Sequence, residues 1–278
     1  MLETINNICL VLMDPVLSWL LYVPRDVAIF IVAIATSAIL TFIRVWTTNQ
    51  DLLARCKADK TRIAELMKEA KKDRDKDAIA RYRGTTSLIA MKLMRAEGKP
   101  LLAVLLPIAL LATWCFSRIA FHPPQEDETV TLNAFFPATA IGKLAHILPQ
   151  EGVEADAWIA RVEPTPDAIP GQEGQAVWKL RAKARPEKPY TLGIKFEGGT
   201  YDMDLLVGSK EYTPNIKFFA DPGARITAAE VALKPFWLFG FLHIPYGPAD
   251  IFLPPWVLAY LLIAVPFVFL LKGVFKIY

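Results

Sequence analysis

Three long apolar runs divide this sequence, and each is close to the roughly 20 residues that a helix needs to cross the hydrocarbon core of a bilayer. They predict membrane-spanning helices at residues 26–46, 100–120 and 251–272. A weaker apolar run near the start is interrupted by Asp14 and Pro15. It predicts an amphipathic helix at residues 4–24 that lies on the membrane surface. A cleaved signal peptide is the alternative, although the first ten residues lack the Lys and Arg of a signal sequence.

The polar stretch between the first two spans, residues 47–98, has the spacing of two helices. Its second arm follows a 3-4 repeat of the positions Ile79, Tyr82, Thr86, Ile89, Leu93 and Ala96. This pattern predicts a short antiparallel coiled-coil hairpin that turns within residues 71–77. Gly98 and Pro100 are expected to end the second helix before the next span begins.

The stretch between the second and third spans, residues 125–234, changes to short alternating segments punctuated by Gly and Pro. The predicted strands are Thr129–Phe135, Ala157–Val162, Ala176–Lys183, Tyr190–Phe196, Tyr201–Val207 and Arg225–Leu233, with a short helix over 138–148. Such spacing is typical of an all-β, sandwich-like domain. The aromatic residues of 235–250 predict an interfacial segment. The fold class is therefore an α-helical membrane protein, a three-span bundle with a hairpin, into which an all-β domain is inserted.

Charge is distributed unevenly between the two polar stretches. Residues 44–99 contain 15 Lys and Arg against 8 Asp and Glu, whereas residues 122–250 contain 12 against 17. Basic loops stay on the cytoplasmic side of a membrane. We therefore expect a plasma (inner) membrane protein whose residues 47–99 and C-terminus are cytoplasmic, and whose N-terminus and residues 121–250 are outside.

Arg44 is the most informative single residue, because it ends the first span on the same helical face as Thr41 and Ser37. A charge within or beside a membrane span is expensive and is a functional hypothesis by default. The alternative is that Arg44 only marks the cytoplasmic end of the span and extends its charge to the lipid headgroups.

We find no catalytic or cofactor-binding motif in the sequence. It contains no phosphate-binding loop, dinucleotide-binding fingerprint or zinc-protease motif, and its three histidines are far apart. The three cysteines fit no metal site, and we expect no disulfide, although a Cys9–Cys115 pair is left open. We predict neither enzymatic activity nor a bound cofactor or metal.

The order of these features resembles the YidC/Oxa superfamily of membrane protein insertases. It resembles in particular the minimal three-span branch, which includes archaeal YidC-like proteins and the insertase subunit of the endoplasmic-reticulum membrane protein complex. The matching stretches are DPVLSWLLYVP (14–24), ILTFIRVW (39–46) and GKPLLAVLLPIALLATWCFS (98–117). Three features depart from the family: the eukaryotic members place an asparagine near Thr113, the additional span pair of bacterial YidC is missing, and the β domain stands between the second and third spans, whereas that of bacterial YidC lies before the core.

The resemblance implies a hydrophilic groove in the membrane that helps client transmembrane segments enter the bilayer. The groove arginine of the family corresponds to Arg44, with Thr41, Ser37, Thr113 and Ser117 as the further candidates for lining the groove. The implied partners are newly made membrane proteins and the lipid bilayer. A ribosome at the basic hairpin and further membrane subunits are left open, as are the clients and a bacterial or archaeal source.

Two other functions remain as alternatives. The protein would be a membrane-anchored binding or scaffold protein if the β domain carried the function and the helices served as an anchor. A transporter subunit is a weaker alternative, because three spans show no repeated pair of broken helices.

Overall fold

The computed structural model describes residues 2–47, 50–165, 169–219, 225–240 and 254–275. The helices are α1 (Leu2–Leu17), α2 (Arg25–Thr47), α3 (Gln50–Lys72), α4 (Lys76–Arg118) and α5 (Pro255–Val274). The strands are β1 (Phe121–His122), β2 (Val130–Phe136), β3 (Leu144–Ile147), β4 (Val153–Ala155), β5 (Ile159–Arg161), β6 (Glu163–Pro164), β7 (Gly174–Ala182), β8 (Tyr190–Phe196), β9 (Gly199–Leu205), β10 (Ile216–Phe218), β11 (Ala228–Ala232) and β12 (Lys234–Pro235).

The chain divides into two compact units. The first, helical unit consists of Met1–Cys9, Asp26–Thr113 and Val257–Tyr278. The second unit consists of Leu10–Arg25 and Trp114–Trp256, and every strand of the described residues lies in it. The β-rich region is therefore inserted into a helical chain, as the sequence pattern predicts.

Among the described residues, two helices, α2 and α5, are long and apolar enough to cross a bilayer by length and composition. The apolar part of α4, Leu102–Arg118, is shorter. The helices are therefore consistent with a membrane protein, and the third span stays a prediction.

The polar stretch after α2 folds as a helical hairpin made of α3 and the first part of α4. Its turn lies between Lys72 and Lys76, where Arg74 has a φ of 55°. The Asp75 carboxylate caps α4 by accepting a hydrogen bond from the Ala78 N–H at 2.9 Å. The predicted turn within residues 71–77 is thus confirmed.

The predicted end of this helix at Gly98 and Pro100 is wrong. Helix α4 continues without interruption from Lys76 to Arg118. A glycine costs about 1 kcal/mol and a proline about 3 kcal/mol in a helix, and the good helix formers on both sides of Gly98 and Pro100 outweigh this cost. The hairpin arm and the apolar segment are consequently one helix of 43 residues.

Two antiparallel sheets face a common core in the second unit. One has the order β10-β11-β2-β7-β4, with β6 also paired to β7, and the other has the order β5-β3-β8-β9. Burial alternates along β7, and the Phe136 and Phe196 rings meet at 4.8 Å between the sheets. The core is thus built from alternate residues of both sheets, as a sandwich requires.

The strand predictions are mostly confirmed, and Tyr190–Phe196 has the predicted bounds. The short helix predicted over 138–148 is wrong. A single 3-10 turn covers Ala138–Ala140, Gly142 adopts a φ of 88°, and strand β3 follows. A positive φ ends a helix, and the chain after Gly142 pairs with β5 and β8 instead.

The chain enters and leaves the β-rich part through one short ladder. Strand β1 pairs with β12, and the Phe236 N–H donates to the Ala120 carbonyl at 2.9 Å. The aromatic segment predicted at 235–250 lies outside the described residues from 241 onward.

Candidate functional site

Three hydroxyl residues on one side of α2, Thr36, Ser37 and Thr41, form what we call the polar stripe. Their exposed fractions are 6%, 0% and 6%, so the stripe is buried within the helical unit. Residues four apart lie on the same helical face, which places Thr41 one turn beyond Ser37. Sequence analysis identified Ser37 and Thr41 as candidates for lining the groove but did not identify Thr36.

Each hydroxyl of the stripe is satisfied by its own helix. Ser37 donates to the Ala33 carbonyl and Thr41 to the Ser37 carbonyl, both at 2.7 Å, and Thr36 donates to the Val32 carbonyl. Such bonds to the carbonyl four residues back satisfy a hydroxyl where no water is present. The polarity of the stripe is therefore neutralised locally.

Helix α5 covers the stripe at its centre. The Ser37 hydroxyl lies 3.3 Å from the Ala264 carbonyl of α5, in addition to its bond within α2. The two helices meet again where the Phe42 and Phe275 rings approach to 5.7 Å. Ala264 is buried, and its small side chain allows the two backbones to come close at Ser37.

Arg44 lies in the last turn of α2, three residues after Thr41, and is half-buried. Its charge at this position also interacts favourably with the negative end of the helix dipole. The structure therefore places Arg44 on the same side of α2 as the stripe and beyond Thr41. This position fits both alternatives, an arginine that lines a groove and an arginine that only marks the end of the helix.

Thr113 and Ser117 lie on α4, and the boundary between the two units passes between them. The Thr113 hydroxyl donates to Ala109 of its own helix at 2.8 Å. Among the described residues this is the hydrogen bond that Thr113 makes, and it does not reach the stripe. The groove roles of Thr113 and Ser117 stay predictions.

The hairpin contains a cavity of about 360 Å³ between its arms. Its lining residues are Leu53, Cys56, Lys57, Lys60, Thr86, Ile89, Ala90, Leu93 and Met94. A neighbouring cavity of about 510 Å³ shares Met94 and is lined also by Leu88, Met91, Lys92 and Arg95. The hairpin thus combines an apolar, methionine-containing surface with several positive charges.

A second polar site lies in the other unit, where α1 and the last turn of α4 meet the loop after β9. We call it the Asp14–Arg118 cluster, and it consists of Asp14, Trp114, Arg118 and Glu211. The Arg118 guanidinium contacts the Asp14 carboxylate at 2.8 Å and the Glu211 carboxylate at 3.2 Å. The Trp114 indole N–H donates to Asp14 at 2.9 Å.

The charge on Asp14 is stabilised by this cluster. Burial alone would raise the pKa of the Asp14 carboxyl, but the hydrogen bonds from Arg118 and Trp114 outweigh burial and hold that pKa below its ordinary value. Asp14 therefore remains ionised although it lies in an apolar part of the sequence.

Two further side chains cap the end of α4 beside this cluster. The Arg25 guanidinium donates to the carbonyls of Arg118 and Ile119, at 2.7 Å and 3.2 Å. The Tyr212 hydroxyl donates to the Phe116 carbonyl at 2.6 Å. The last carbonyls of a helix have no partner within the helix, and these side chains supply one.

Sequence analysis missed the Asp14–Arg118 cluster, although a signal was available. Asp14 interrupts an apolar run, and the rule that made Arg44 noteworthy applies equally to it. Its partner Arg118 is 104 residues away, so the pairing itself was not visible.

The comparison with protein families gives a match to a family of membrane proteins. Residues 10–162, more than half of the chain, match the model of integral membrane proteins that are EMC3/TMCO1-like. This chain belongs to that family. The family is part of the YidC/Oxa1/Alb3 insertase superfamily, so the resemblance at the superfamily level is confirmed. No curated protein and no solved structure matches the chain significantly.

The residues that match the family lie in both the helical and the β-rich parts of the chain. It extends from α1 through α2, the hairpin and α4, and into the β-rich region as far as Val162. The stripe and the Asp14–Arg118 pair fall within it, whereas Glu211 and the covering helix α5 lie beyond it. Membership establishes an integral membrane protein.

Proposed function

We propose that this protein is a membrane protein insertase, which helps transmembrane segments of client proteins to enter the bilayer. The observation that carries the proposal is the polar stripe on α2, which runs toward Arg44 inside a helix apolar enough to span a membrane. Membership in a family of the insertase superfamily supports the same conclusion.

The proposed topology has three spans, in α2, the second part of α4 and α5, as in the minimal branch of the superfamily. The basic hairpin lies in the cytoplasm, because Lys and Arg concentrate in 44–99. The β-rich unit lies outside the plasma membrane, and α1 lies on the membrane surface.

The proposed mechanism lowers the cost of moving polar groups through lipid. Placing a charged side chain at the centre of a bilayer costs at least about 2.5–3.5 kcal/mol on insertion scales. Arg44 in a hydrated groove attracts an acidic or polar tail of the client and offsets part of that cost. The apolar segment of the client then partitions into lipid without a nucleotide.

The hairpin is proposed to receive clients before they enter the groove. Its cavity offers an apolar surface in which Met94 can adapt its shape to different side chains, with Lys57 and Lys60 beside it. The same basic surface suits a ribosome, and further membrane subunits can complete the groove.

A membrane-anchored scaffold protein is the second candidate. The observation that favours it is the burial of Ser37 against α5, because a simple anchor packs its helices tightly and has no hydrated groove. In that case the β-rich unit carries the function and Arg44 only marks a helix end.

Replacement of Arg44 by Ala tests the proposal. The parent and Arg44→Ala proteins are reconstituted in vesicles with a single-span client whose short N-terminal tail is acidic, and protease protection measures insertion. We expect insertion to fall several-fold while the protein stays folded, and Arg44→Lys to keep part of the activity because it keeps the charge.

Arg55→Ala is the matched control, because it removes an exposed positive charge from the neighbouring helix α3. Equal insertion by the parent and the Arg44→Ala protein would remove the groove role of Arg44. No insertion by the parent above protein-free vesicles would favour the scaffold function instead.

A further inference from the structure

We infer that α5 is a movable cover over the polar stripe of α2, and that a client reaches the stripe only when α5 separates from Ser37. The inference rests on the proposed insertase function and specifies how its groove is opened. The stripe is buried in the structure, so a client or water cannot contact it in this arrangement.

The hydrogen bonding of the stripe permits this separation. Ser37 and Thr41 donate to carbonyls of α2 itself, so these bonds persist when α5 moves away. A buried hydroxyl that loses its partner costs about 1–3 kcal/mol, and this cost does not arise here. The stripe is therefore ready to be exposed without rearrangement of α2.

The contact with α5 is weak at the stripe. The Ser37 hydroxyl carries one proton, which it places in the 2.7 Å bond to Ala33, so its 3.3 Å approach to Ala264 is the longer and weaker of the two. Ala264 adds little side-chain area to the contact because it ends at Cβ. Few attractive interactions therefore have to be broken when α5 moves away at this point.

The two helices also differ in how firmly they are held. In their most apolar stretches, 39% of α2 is buried but only 11% of α5. Helix α2 therefore packs a larger part of its surface within the helical unit than α5 does, and most of α5 faces outward. Movement of α5 disturbs fewer packed side chains than movement of α2.

The uncovered stripe has the chemistry that a client needs. Its hydroxyl oxygens keep free lone pairs after donating, so they accept hydrogen bonds from water or from polar groups of an entering segment. Arg44 lies beyond the stripe on the same helix. The ligand of the uncovered site is thus a polar or acidic segment next to an apolar one, which is the chemistry of a client tail.

A reversible cross-link between the two helices tests the cover. Ser37→Cys and Ala264→Cys are introduced together into a protein whose Cys9, Cys56 and Cys115 are replaced by Ser, and insertion is measured in vesicles before and after oxidation. We expect the oxidised protein to insert the client on the order of tenfold more slowly, and reduction to restore the rate. The proteins with either cysteine alone, treated identically, are the matched controls.

The outcomes distinguish failure of the inference about α5 from failure of the proposed insertase function. An oxidised, cross-linked protein that inserts clients as fast as its reduced form would contradict the inference that α5 must separate from Ser37. If insertion by that protein still depended on Arg44, the proposed insertase function would stand. A parent protein that keeps its native Ser37 and inserts no client would point to failure of the proposed function itself.

A second measurement covers the case in which the disulfide does not form. A single cysteine at Ser37, the stripe residue that contacts α5, is labelled with a membrane-impermeant thiol reagent from the hairpin side, with and without client. We expect labelling to be slow alone and several-fold faster with client, because the client holds α5 away. Labelling that is unchanged by client would contradict the inference.

Discussion

The polar stripe of α2 and the Asp14–Arg118 cluster are both polar sites in apolar surroundings, but they are satisfied in different ways. The hydroxyls of the stripe bond to carbonyls four residues back on the same helix. The carboxylate of Asp14, by contrast, depends on Trp114 and Arg118, which lie on another helix about 100 residues later.

This difference determines which site can open. The proposed movement of α5 away from the stripe breaks no hydrogen bond within α2, because Ser37 and Thr41 donate to carbonyls of α2 itself. Separation of α1 from the end of α4 would leave the partly buried Asp14 carboxylate without Arg118 and without the Trp114 N–H, and the loss of a hydrogen bond to a charged group costs about 1.5–3 kcal/mol. We therefore interpret the cluster as a fixed joint within its unit and the stripe as a surface that can be uncovered.

The largest effect is expected when Arg118 is replaced by Ala. Arg118 contacts both Asp14 and Glu211, and its side chain is only 15% exposed. Its removal leaves the partly buried Asp14 without its cation, and we expect the free energy of unfolding to fall by about 2–3 kcal/mol, because hydrogen bonds to charged groups are lost. Denaturant unfolding in detergent micelles, followed by tryptophan fluorescence, measures the change.

Arg161→Ala is the matched control, because Arg161 is an exposed cation on β5 and its replacement should change stability by no more than about 0.5 kcal/mol. Equal stability of the two variants would contradict the description of the cluster as a fixed joint.

The next effect depends on pH. Because the pKa of folded Asp14 is held below its ordinary value, its ionised form stabilises the protein at pH values above that ordinary value. This stability is lost as the pH falls through the lowered pKa of the folded state. Asp14→Asn should cost about 1.5–3 kcal/mol at neutral pH, and the difference from the parent should shrink in acid.

Unfolding midpoints of the parent and the Asp14→Asn protein, measured from pH 7 downward, check this prediction. The stripe contains no ionisable group, so Thr41→Val serves as a control whose difference from the parent should stay constant. A pH-independent difference for Asp14→Asn would show that the carboxylate charge does not contribute.

A smaller effect is expected from Tyr212→Phe. The Tyr212 hydroxyl caps the Phe116 carbonyl at 2.6 Å, and Tyr212 is only 5% exposed. Loss of this bond should reduce the free energy of unfolding by about 1 kcal/mol. Tyr22→Phe is the matched control, since Tyr22 is 76% exposed, and equal unfolding midpoints for the two variants would argue against the cap.

The smallest effect is expected from Ser37→Ala. The hydroxyl that is lost bonds mainly to its own helix, and alanine is the better helix former, so stability should change by less than about 0.5 kcal/mol. Ser37→Leu is the contrasting variant, because added volume against Ala264 should cost about 1–3 kcal/mol. A large loss for Ser37→Ala would mean that the contact with α5 is a firm one.

Local patterns in the sequence predicted much of the secondary structure. The alternation in Tyr190–Phe196 predicted strand β8, and the charged residues 71–77 predicted the turn of the hairpin. Both follow from short-range physics, because burial of every second residue specifies a strand and a charged, turn-prone segment remains in water. The alignment of Ser37, Thr41 and Arg44 on one face follows in the same way from helical geometry.

Predictions that required knowledge of the surroundings were wrong or incomplete. Gly98 and Pro100 have the local signature of a helix end, yet α4 passes through them, because the helix formers on both sides outweigh the cost of one glycine and one proline. Strand β3 replaced a predicted helix because its partners, β5 and β8, lie further along the chain.

The sequence by itself determined that this protein has membrane-spanning segments, a basic hairpin, a β-rich insertion and an arginine on a polar helical face. These properties follow from composition and from the spacing of apolar residues, which is two in a strand and about 3.6 in a helix. A short stretch of sequence is enough to show such spacing. Only the tertiary structure decided that α5 covers Ser37 and that Asp14 pairs with Arg118. The physical reason is that burial and ion pairing are relations between distant parts of the chain, and no local pattern carries the identity of the partner.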